Sequence, residues 1–231
     1  MGTMISVAAL DHSGSFDVYK AVPTGEPKAA IVVIQEIFGI NPGIRAKVDH
    51  WAAQGYTAYA LDLFWRDKPG IQLDPDIPEQ LQEAFGFYQR FDRDKGIEDI
   101  EATIRAARAE TGKKVGVTGY CLGGLLTYLA ATRTDTDASV AYYGGGIDGF
   151  LGESHGIARP LLMHFAGKDH FIPSEAIAKI QESFAGNERV DIHVYDGVDH
   201  GFATQTGKRR VEDAANLADG RTEAFFATHL G

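Results

Sequence analysis

Short runs of β-branched and aliphatic residues alternate with segments of helical periodicity along the 231 residues. Such alternation is typical of crossover units that build a mostly parallel sheet with helices on both faces, an α/β fold. The first two runs, joined by residues 11–14, are expected to pair as an antiparallel hairpin at the sheet edge. We predict eight strands, near residues 5–8, 16–22, 29–35, 57–61, 114–118, 138–142, 161–165 and 190–194.

Two helices are predicted from apolar residues that recur on one face. Ile97, Ile100, Ile104 and Ala107 form one such stripe, and Gly112 is expected to end that helix. The second stripe, near the end of the chain, consists of Val211, Ala214, Ala218 and Phe225. Because no linker or internal repeat divides the sequence, we predict a single domain over residues 1–231.

Composition excludes several classes of partner. The formal net charge is -10, whereas nucleic-acid binding requires clustered Lys and Arg. A single cysteine allows no internal disulfide, and no apolar run approaches the roughly 20 residues that cross a bilayer. We therefore expect a cytoplasmic protein, a monomer or weak homo-oligomer, that binds a small molecule and neither nucleic acid nor membrane.

The only cysteine lies in the stretch VGVTGYCLGG, residues 115–124. A β-rich run is followed by Gly119, Cys121 and Gly123 at alternate positions, and then by an apolar helix. This pattern is typical of the nucleophile elbow of α/β-hydrolases, with Cys in place of Ser. It predicts that fold, Cys121 as nucleophile and the N–H of Leu122 as an oxyanion donor. The alternative is a buried cysteine that serves as a small hydrophobe.

A nucleophile of this kind requires a base and an acid, and the fold places them in the order nucleophile, acid, histidine. That order assigns Asp169 as the acid and His200 as the base. Asp196 and Asp199 are rival acids, and His170 is expected to have a surface or packing role. No metal site is expected, because the histidines lack ligand spacing and one cysteine makes no C-x-x-C pair.

Six motifs make the chain similar to the dienelactone hydrolase (carboxymethylenebutenolidase) family over almost its whole length. These motifs are Gln35-Glu36-Ile37-Phe38-Gly39, Gly55-Tyr56 leading to Asp62-Leu63, Gly119-Tyr120-Cys121-Leu122-Gly123-Gly124, Tyr142-Tyr143-Gly144, Gly167-Lys168-Asp169-His170-Phe171 and His200-Gly201-Phe202. The resemblance implies a Cys121, Asp169 and His200 triad that hydrolyses a lactone or ester through an acyl-enzyme, without a cofactor. It also implies that Glu36 helps to ionise the cysteine when substrate binds, and that the N–H of Ile37 is the second oxyanion donor.

The sequence departs from this family where the substrate is held. Family members that act on dienelactone bind its carboxylate with two arginines, and an ungapped alignment places Leu81 and Thr204 at those positions. Arg66 and the cluster 208–210 are the cations that could compensate. We therefore expect a substrate that is less anionic or anchored differently. Further substrate-binding residues are expected at Phe38, Phe85, Tyr88 and Tyr143.

Three other functions stay open at this point. A general carboxylesterase or thioesterase would use the same residues on another substrate. A thiol-based redox or binding protein would keep Cys121 but would not require His200. A non-catalytic scaffold would require neither residue.

Overall fold

The computed structural model describes residues 2–231 and contains eight strands. Each predicted strand is present, and its ends lie within two residues of the prediction. The strands are β1 (Thr3–Ala8), β2 (Ser15–Ala21), β3 (Ala30–Ile34), β4 (Thr57–Leu61), β5 (Val115–Tyr120), β6 (Ala138–Tyr142), β7 (Leu161–Ala166) and β8 (Val190–Tyr195).

The eight strands form one sheet in the order β1-β2-β4-β3-β5-β6-β7-β8. β1 pairs antiparallel with β2, and β2 antiparallel with β4, which confirms the predicted hairpin at the edge. All other neighbours are parallel. The carboxyl ends of β3, β5, β6, β7 and β8 therefore meet at one edge of the sheet, where ligands of open parallel sheets bind.

Within residues 2–231, six α-helices and one 3₁₀ helix cover the sheet. They are α1 (Pro42–Ala53), α2 (Pro78–Arg90), α3 (Arg93–Thr111), α4 (Leu122–Arg133), the 3₁₀ helix Ile147–Gly156, α5 (Ser174–Ser183) and α6 (Glu212–Leu230). The Trp51 ring of α1 packs edge-on against Phe226 of α6, with 5.4 Å between ring centroids. α3 packs against α4 and against β3, β4 and β5. The predicted α/β-hydrolase architecture is confirmed.

The two predicted helical stripes have different outcomes. All four residues of the α3 stripe are buried, and Gly112 ends the helix with a left-handed φ of 65°. In α6, Ala218 and Phe225 are buried as expected. Val211 is 42% exposed and precedes the first turn, so its assignment to the stripe was wrong. The helix starts at Glu212, one residue after the apolar pattern starts.

Two further expectations concern the chain as a whole. Among residues 2–231, no helix is both long enough and apolar enough to span a membrane. The single domain over residues 1–231 stays a prediction, and Met1 lies outside the described residues.

Candidate active site

Cys121 lies at a sharp turn between β5 and α4. Its φ of 57° and ψ of -114° place it in a backbone region that non-glycine residues rarely adopt. A Cβ on Gly119 would overlap the Gly123 carbonyl, and a Cβ on Gly123 would overlap the carbonyls of Ile34 and Gln35. Both glycines are therefore required for α4 to pack closely against β5 and β3. The turn leaves the Cys121 side chain half-buried at the sheet edge.

The two residues predicted to supply oxyanion donors, Leu122 and Ile37, both lie at the pocket of Cys121. Leu122 is the first residue of α4, and the first N–H groups of a helix have no acceptor within it. Ile37 comes from the loop after β3. Both residues line the same pocket as Cys121. The positive end of the α4 dipole also favours negative charge at this point.

His200 and Asp169 form a buried pair beside the cysteine. The Nδ1 atom of His200 lies 2.8 Å from Oδ2 of Asp169, and the two side chains are 2% and 0% exposed. The other Asp169 oxygen accepts the N–H groups of Phe171 and Ile172, at 2.9 and 3.1 Å. A carboxylate only accepts, so Nδ1 carries a proton. Within residues 2–231, Nε2 is buried without a hydrogen-bond partner of its own.

The charges around His200 favour its protonated form. Burial alone lowers the pKa of His200, but a negative charge on Cys121 and the hydrogen bond with Asp169 outweigh burial and raise the pKa to about 10. The imidazole can therefore carry a proton on Nε2 as well as on Nδ1.

Glu36 is a buried carboxylate at the same edge of the sheet. It is 7% exposed, and its Oε1 atom has no partner among the described residues. Burial raises the pKa of Glu36, while the positive charges of Arg209, His200 and Lys47 oppose that rise. The preceding Gln35 fixes the loop, because its amide oxygen accepts the N–H of Leu63 at 3.3 Å.

A pocket of about 270 Å³ opens above Cys121. Four of the predicted substrate-binding residues line it, together with Phe171. These four are Phe38, Leu81, Phe85 and Tyr88. Tyr143 and Thr204 are not among the residues that line this pocket. They are 0% and 5% exposed, both hydroxyls are without partners within residues 2–231, and their role in substrate binding stays a prediction.

Arginines reach the pocket from positions that the sequence did not identify. Arg209 and Arg93 both line it. The Arg209 guanidinium lies 5.5 Å from the centroid of the Phe38 ring, and its Nη2 atom is buried without a partner in the described part of the chain. Arg209 belonged to the cluster named from sequence, whereas Arg93 was missed because nothing in a helix start shows where its side chain points.

The other candidate cations are engaged elsewhere. Arg66 pairs with Asp99, and it also contacts Asp11 at 3.3 Å. Arg210 donates to Glu212 at 3.0 Å and to the carbonyl of Thr204 at 3.2 Å. Neither residue lines the pocket above Cys121. Among the cations named from the sequence, Arg209 is the one that lines this pocket.

The rival acids have other partners. Asp199 accepts from Nδ1 of His170 at 2.8 Å, and both side chains are 55% exposed. It also accepts the backbone N–H of His200. Asp196 is exposed in the loop after β8. Of the three aspartates considered, Asp169 is the one whose carboxylate meets the His200 ring.

Comparison with known proteins agrees with this geometry. The family model described as "Dienelactone hydrolase family" matches residues 16–230. A carboxymethylenebutenolidase of Pseudomonas putida is 38% identical over 225 residues, which cover 96% of this chain and 95% of that protein. A candidate carboxymethylenebutenolidase of Azospirillum brasilense is 45% identical over 233 residues, covering 99% of this chain and 100% of that protein.

A solved structure gives the same result. The crystal structure of a candidate dienelactone hydrolase from Klebsiella pneumoniae superposes with a TM-score of 0.84 at 25% identity, covering 98% of each chain. The family match spans far more than half of the sequence, and the relatives match over nearly their full length. The chain therefore belongs to the dienelactone hydrolase family.

Proposed function

We propose that this hydrolase cleaves the ester bond of a lactone or small carboxylic ester through a covalent acyl intermediate on Cys121. The observation that carries the proposal is the buried pair of His200 and Asp169, joined at 2.8 Å, beside a cysteine at a strained elbow. Relatives named carboxymethylenebutenolidase support the same reaction class. A cysteine with a purely structural role would not require a buried histidine and aspartate pair beside it.

In the acylation step, the Cys121 thiolate attacks the carbonyl carbon of the substrate. The N–H groups of Leu122 and Ile37 stabilise the negative charge that forms on the carbonyl oxygen. The carbon–oxygen bond then breaks, and His200 transfers its proton from Nε2 to the departing alkoxide. The product of this step is a thioester on Cys121, with the alcohol free or, for a lactone, still attached to the acyl chain.

Water completes the cycle. His200 removes a proton from a water molecule, which attacks the thioester carbonyl. The carbon–sulfur bond breaks, Cys121 leaves as the thiolate, and the carboxylic acid is released. Asp169 keeps Nδ1 protonated and stabilises the imidazolium that forms in each half of the cycle.

Glu36 has a proposed role in activating the thiol. Its buried carboxylate lies among three positive charges, those of Arg209, His200 and Lys47. A carboxylate beside a thiol disfavours the thiolate by like charge unless it accepts the proton or moves. We propose that a substrate anion bound to Arg209 draws that cation away from Glu36, so that the carboxylate takes the Cys121 proton while His200 is already protonated on Nε2. Glu36 returns this proton to the thiolate when the acid has been released.

The pocket supports an anchored anionic substrate. The sequence allowed either a less anionic substrate or a different anchor, because Leu81 and Thr204 replace the arginines of the family. Arg209 offers a buried, unpartnered Nη2 beside Cys121 within the described residues. A guanidinium is the side chain best suited to a carboxylate. We therefore propose a carboxylate-bearing lactone or ester held by Arg209.

The test is kcat/KM on two substrates, dienelactone and a neutral aryl acetate, for the wild type and three variants. Cys121→Ala is expected to abolish turnover of both. Arg209→Gln is expected to lower kcat/KM for dienelactone about 30-fold or more, as the loss of a buried charge pair costs about 2 kcal/mol or more. Its activity on the neutral ester should stay within about threefold.

Lys208→Gln is the matched control, since it removes the same charge from the neighbouring exposed residue. Turnover of the aryl acetate alone would reject the anionic substrate and favour a general carboxylesterase. Full activity of Cys121→Ala would reject the acyl-enzyme. Inactivity toward all esters and thioesters, with Cys121 still readily modified, would favour a thiol-based redox or binding protein. The cytoplasmic location and the monomeric or weakly associated state stay predictions.

A further inference from the structure

A half-exposed aromatic ring lies directly beside the proposed base. Phe171 is 49% exposed, although its ring packs edge to face against the His200 ring with 5.0 Å between centroids. The Phe171 ring also lies 3.9 Å from the His170 ring, and the backbone N–H of Phe171 donates to Asp169 at 2.9 Å. These contacts hold a large apolar side chain at the solvent boundary of the pocket. None of the steps above uses the Phe171 ring.

Apolar and aromatic side chains of α2 face the same pocket. Leu81, Phe85 and Tyr88 line it together with Phe171, and these four side chains are called the apolar wall below. The Phe85 and Phe171 rings lie 6.4 Å apart, and Tyr88 is 45% exposed. Apolar surface that stays exposed inside a pocket favours an apolar ligand group. The wall therefore needs an occupant that the carboxylate anchor at Arg209 does not supply.

The chemistry of His200 decides which part of the substrate meets this wall. In acylation, His200 gives the proton on Nε2 to the departing oxygen, which must therefore come within hydrogen-bond reach of the imidazole. The group attached to that oxygen then lies beside a ring that packs against His200 and lines the pocket. Phe171 meets both conditions. The Tyr143 ring also packs against His200, at 5.0 Å, but it is not among the residues that line the pocket.

We infer that Phe171 determines specificity: with the rest of the apolar wall, it forms a subsite for an apolar group on the alcohol portion of the substrate. This inference rests on the proposed function, because it requires that His200 protonate the leaving oxygen. For a lactone, the group is a substituent on the ring carbon that bears this oxygen. Burial of that group against the wall removes apolar surface of both substrate and protein from water, which favours binding.

The kinetic test compares ethyl, butyl and hexyl acetate, with hydrolysis followed by acid release. Their alkoxides differ little in basicity, so differences in kcat/KM report binding of the alkyl chain rather than the chemistry of the leaving group. From ethyl to hexyl acetate, kcat/KM is expected to rise about 10-fold or more, because each buried methylene favours binding. Phe171→Ala should reduce this hexyl to ethyl ratio below about threefold. Phe171→Leu, which restores an apolar side chain, should keep most of it.

The hexyl to ethyl ratio separates specificity from mechanical support of His200. A Phe171→Ala variant that only displaced the imidazole would lose activity on both esters equally and would keep the ratio. Leu217→Ala is the matched control, since Leu217 is 51% exposed on α6 and is not among the residues that line the pocket. It should leave the ratio unchanged. Thermal unfolding shows that each variant is folded.

Two further measurements locate the chain that contacts Phe171. Ethyl hexanoate lengthens the acyl chain to the same extent as hexyl acetate lengthens the alcohol, and its kcat/KM relative to ethyl acetate should be equal in wild type and Phe171→Ala. Saturation-transfer difference NMR of hexyl acetate with Cys121→Ala detects contact without turnover. Adding Phe171→Ala to that variant should weaken the signal of the hexyl chain relative to that of the acetyl methyl group.

The outcomes separate this inference from the function on which it rests. A wild-type hexyl to ethyl ratio near one, or an equal ratio in wild type and folded Phe171→Ala, overturns the inference. Loss of the acyl-chain preference in Phe171→Ala also overturns it, because the wall would then hold the acyl portion. Hydrolysis of no ester by the wild type would instead reject the proposed function, whatever the NMR signal of the hexyl chain. A lower hexyl to ethyl ratio together with a weaker hexyl signal supports the inference.

Discussion

Two aspartate and histidine pairs connect the loops that follow β7 and β8, and they differ in their surroundings. The sequence places each aspartate directly before a histidine, yet the structure crosses them: Asp169 meets His200, and Asp199 meets His170. Both contacts are 2.8 Å. The first pair is 2% and 0% exposed, whereas both members of the second are 55% exposed.

The difference shows that burial and direction, rather than the hydrogen bond itself, distinguish the proposed catalytic pair. An ion pair exposed to water is screened and contributes little. A buried carboxylate fixes the tautomer and orientation of its histidine, and the imidazole can then face Cys121. The crossed arrangement makes the exposed pair a natural control for the buried one, because it has the same residue types in the same two loops.

The largest difference is expected between the two histidines. His200→Ala should lower kcat about 10³-fold or more, since the proposed cycle has no other group that protonates the departing alkoxide and activates the water. His170→Ala should change kcat less than about threefold. Steady-state kinetics on an aryl acetate measures both. Equal losses in the two variants would contradict the assignment of His200 as the base.

A smaller difference is expected between the two aspartates. Asp169→Asn should lower kcat by about 10² to 10⁴-fold, because an amide can impose the wrong tautomer on His200. Asp199→Asn should remain within about threefold, since its amide oxygen can still accept the backbone N–H of His200. The same assay with circular dichroism as a check of folding distinguishes them. A large loss in Asp199→Asn alone would make Asp199 the acid.

The smallest effect concerns the stability that the exposed pair provides. Burial alone would raise the pKa of Asp199, but hydrogen bonds from His170 and His200 outweigh the effect of burial, so the pKa is lowered. Its contribution is therefore present above the ordinary aspartate pKa of about 3.9 and lost as pH falls through the lowered value. A double-mutant cycle on Asp199 and His170 should give about 0.2 to 1 kcal/mol at pH 5 and less at pH 3 by urea unfolding. A coupling that grows on acidification would contradict this sign.

The strands and the elbow were predictable because their signals are local. Eight apolar runs give the sheet, and the alternating glycines around Cys121 specify a turn that tolerates no Cβ on either side. The order of residues also favoured Asp169 over Asp199 for contact with His200, and the geometry agrees with it. These features depend on which residue types occur at which spacing, and a single sequence contains that information.

The pocket wall was less predictable because it depends on side-chain direction. Tyr143 lies next to a strand end and has a φ of 36°, yet its hydroxyl is buried and the residue does not line the pocket. Three consecutive cations at 208–210 have equal sequence signals, but the loop directs Arg209 toward Phe38 and Arg210 toward Glu212. The sequence also gave no indication that Lys47 of α1 is buried, at 5% exposure, because a lysine in an amphipathic helix normally faces water.

One consequence follows from the solitary thiol at the elbow. Cys121 is half-buried in the same pocket as His200, and the sequence contains one cysteine. A thiolate oxidised by peroxide forms a sulfenic acid, which a neighbouring cysteine can convert to a disulfide and so protect from further oxidation. This chain has no such neighbour. Its recovery from oxidative damage therefore depends on a thiol supplied by the surrounding solution.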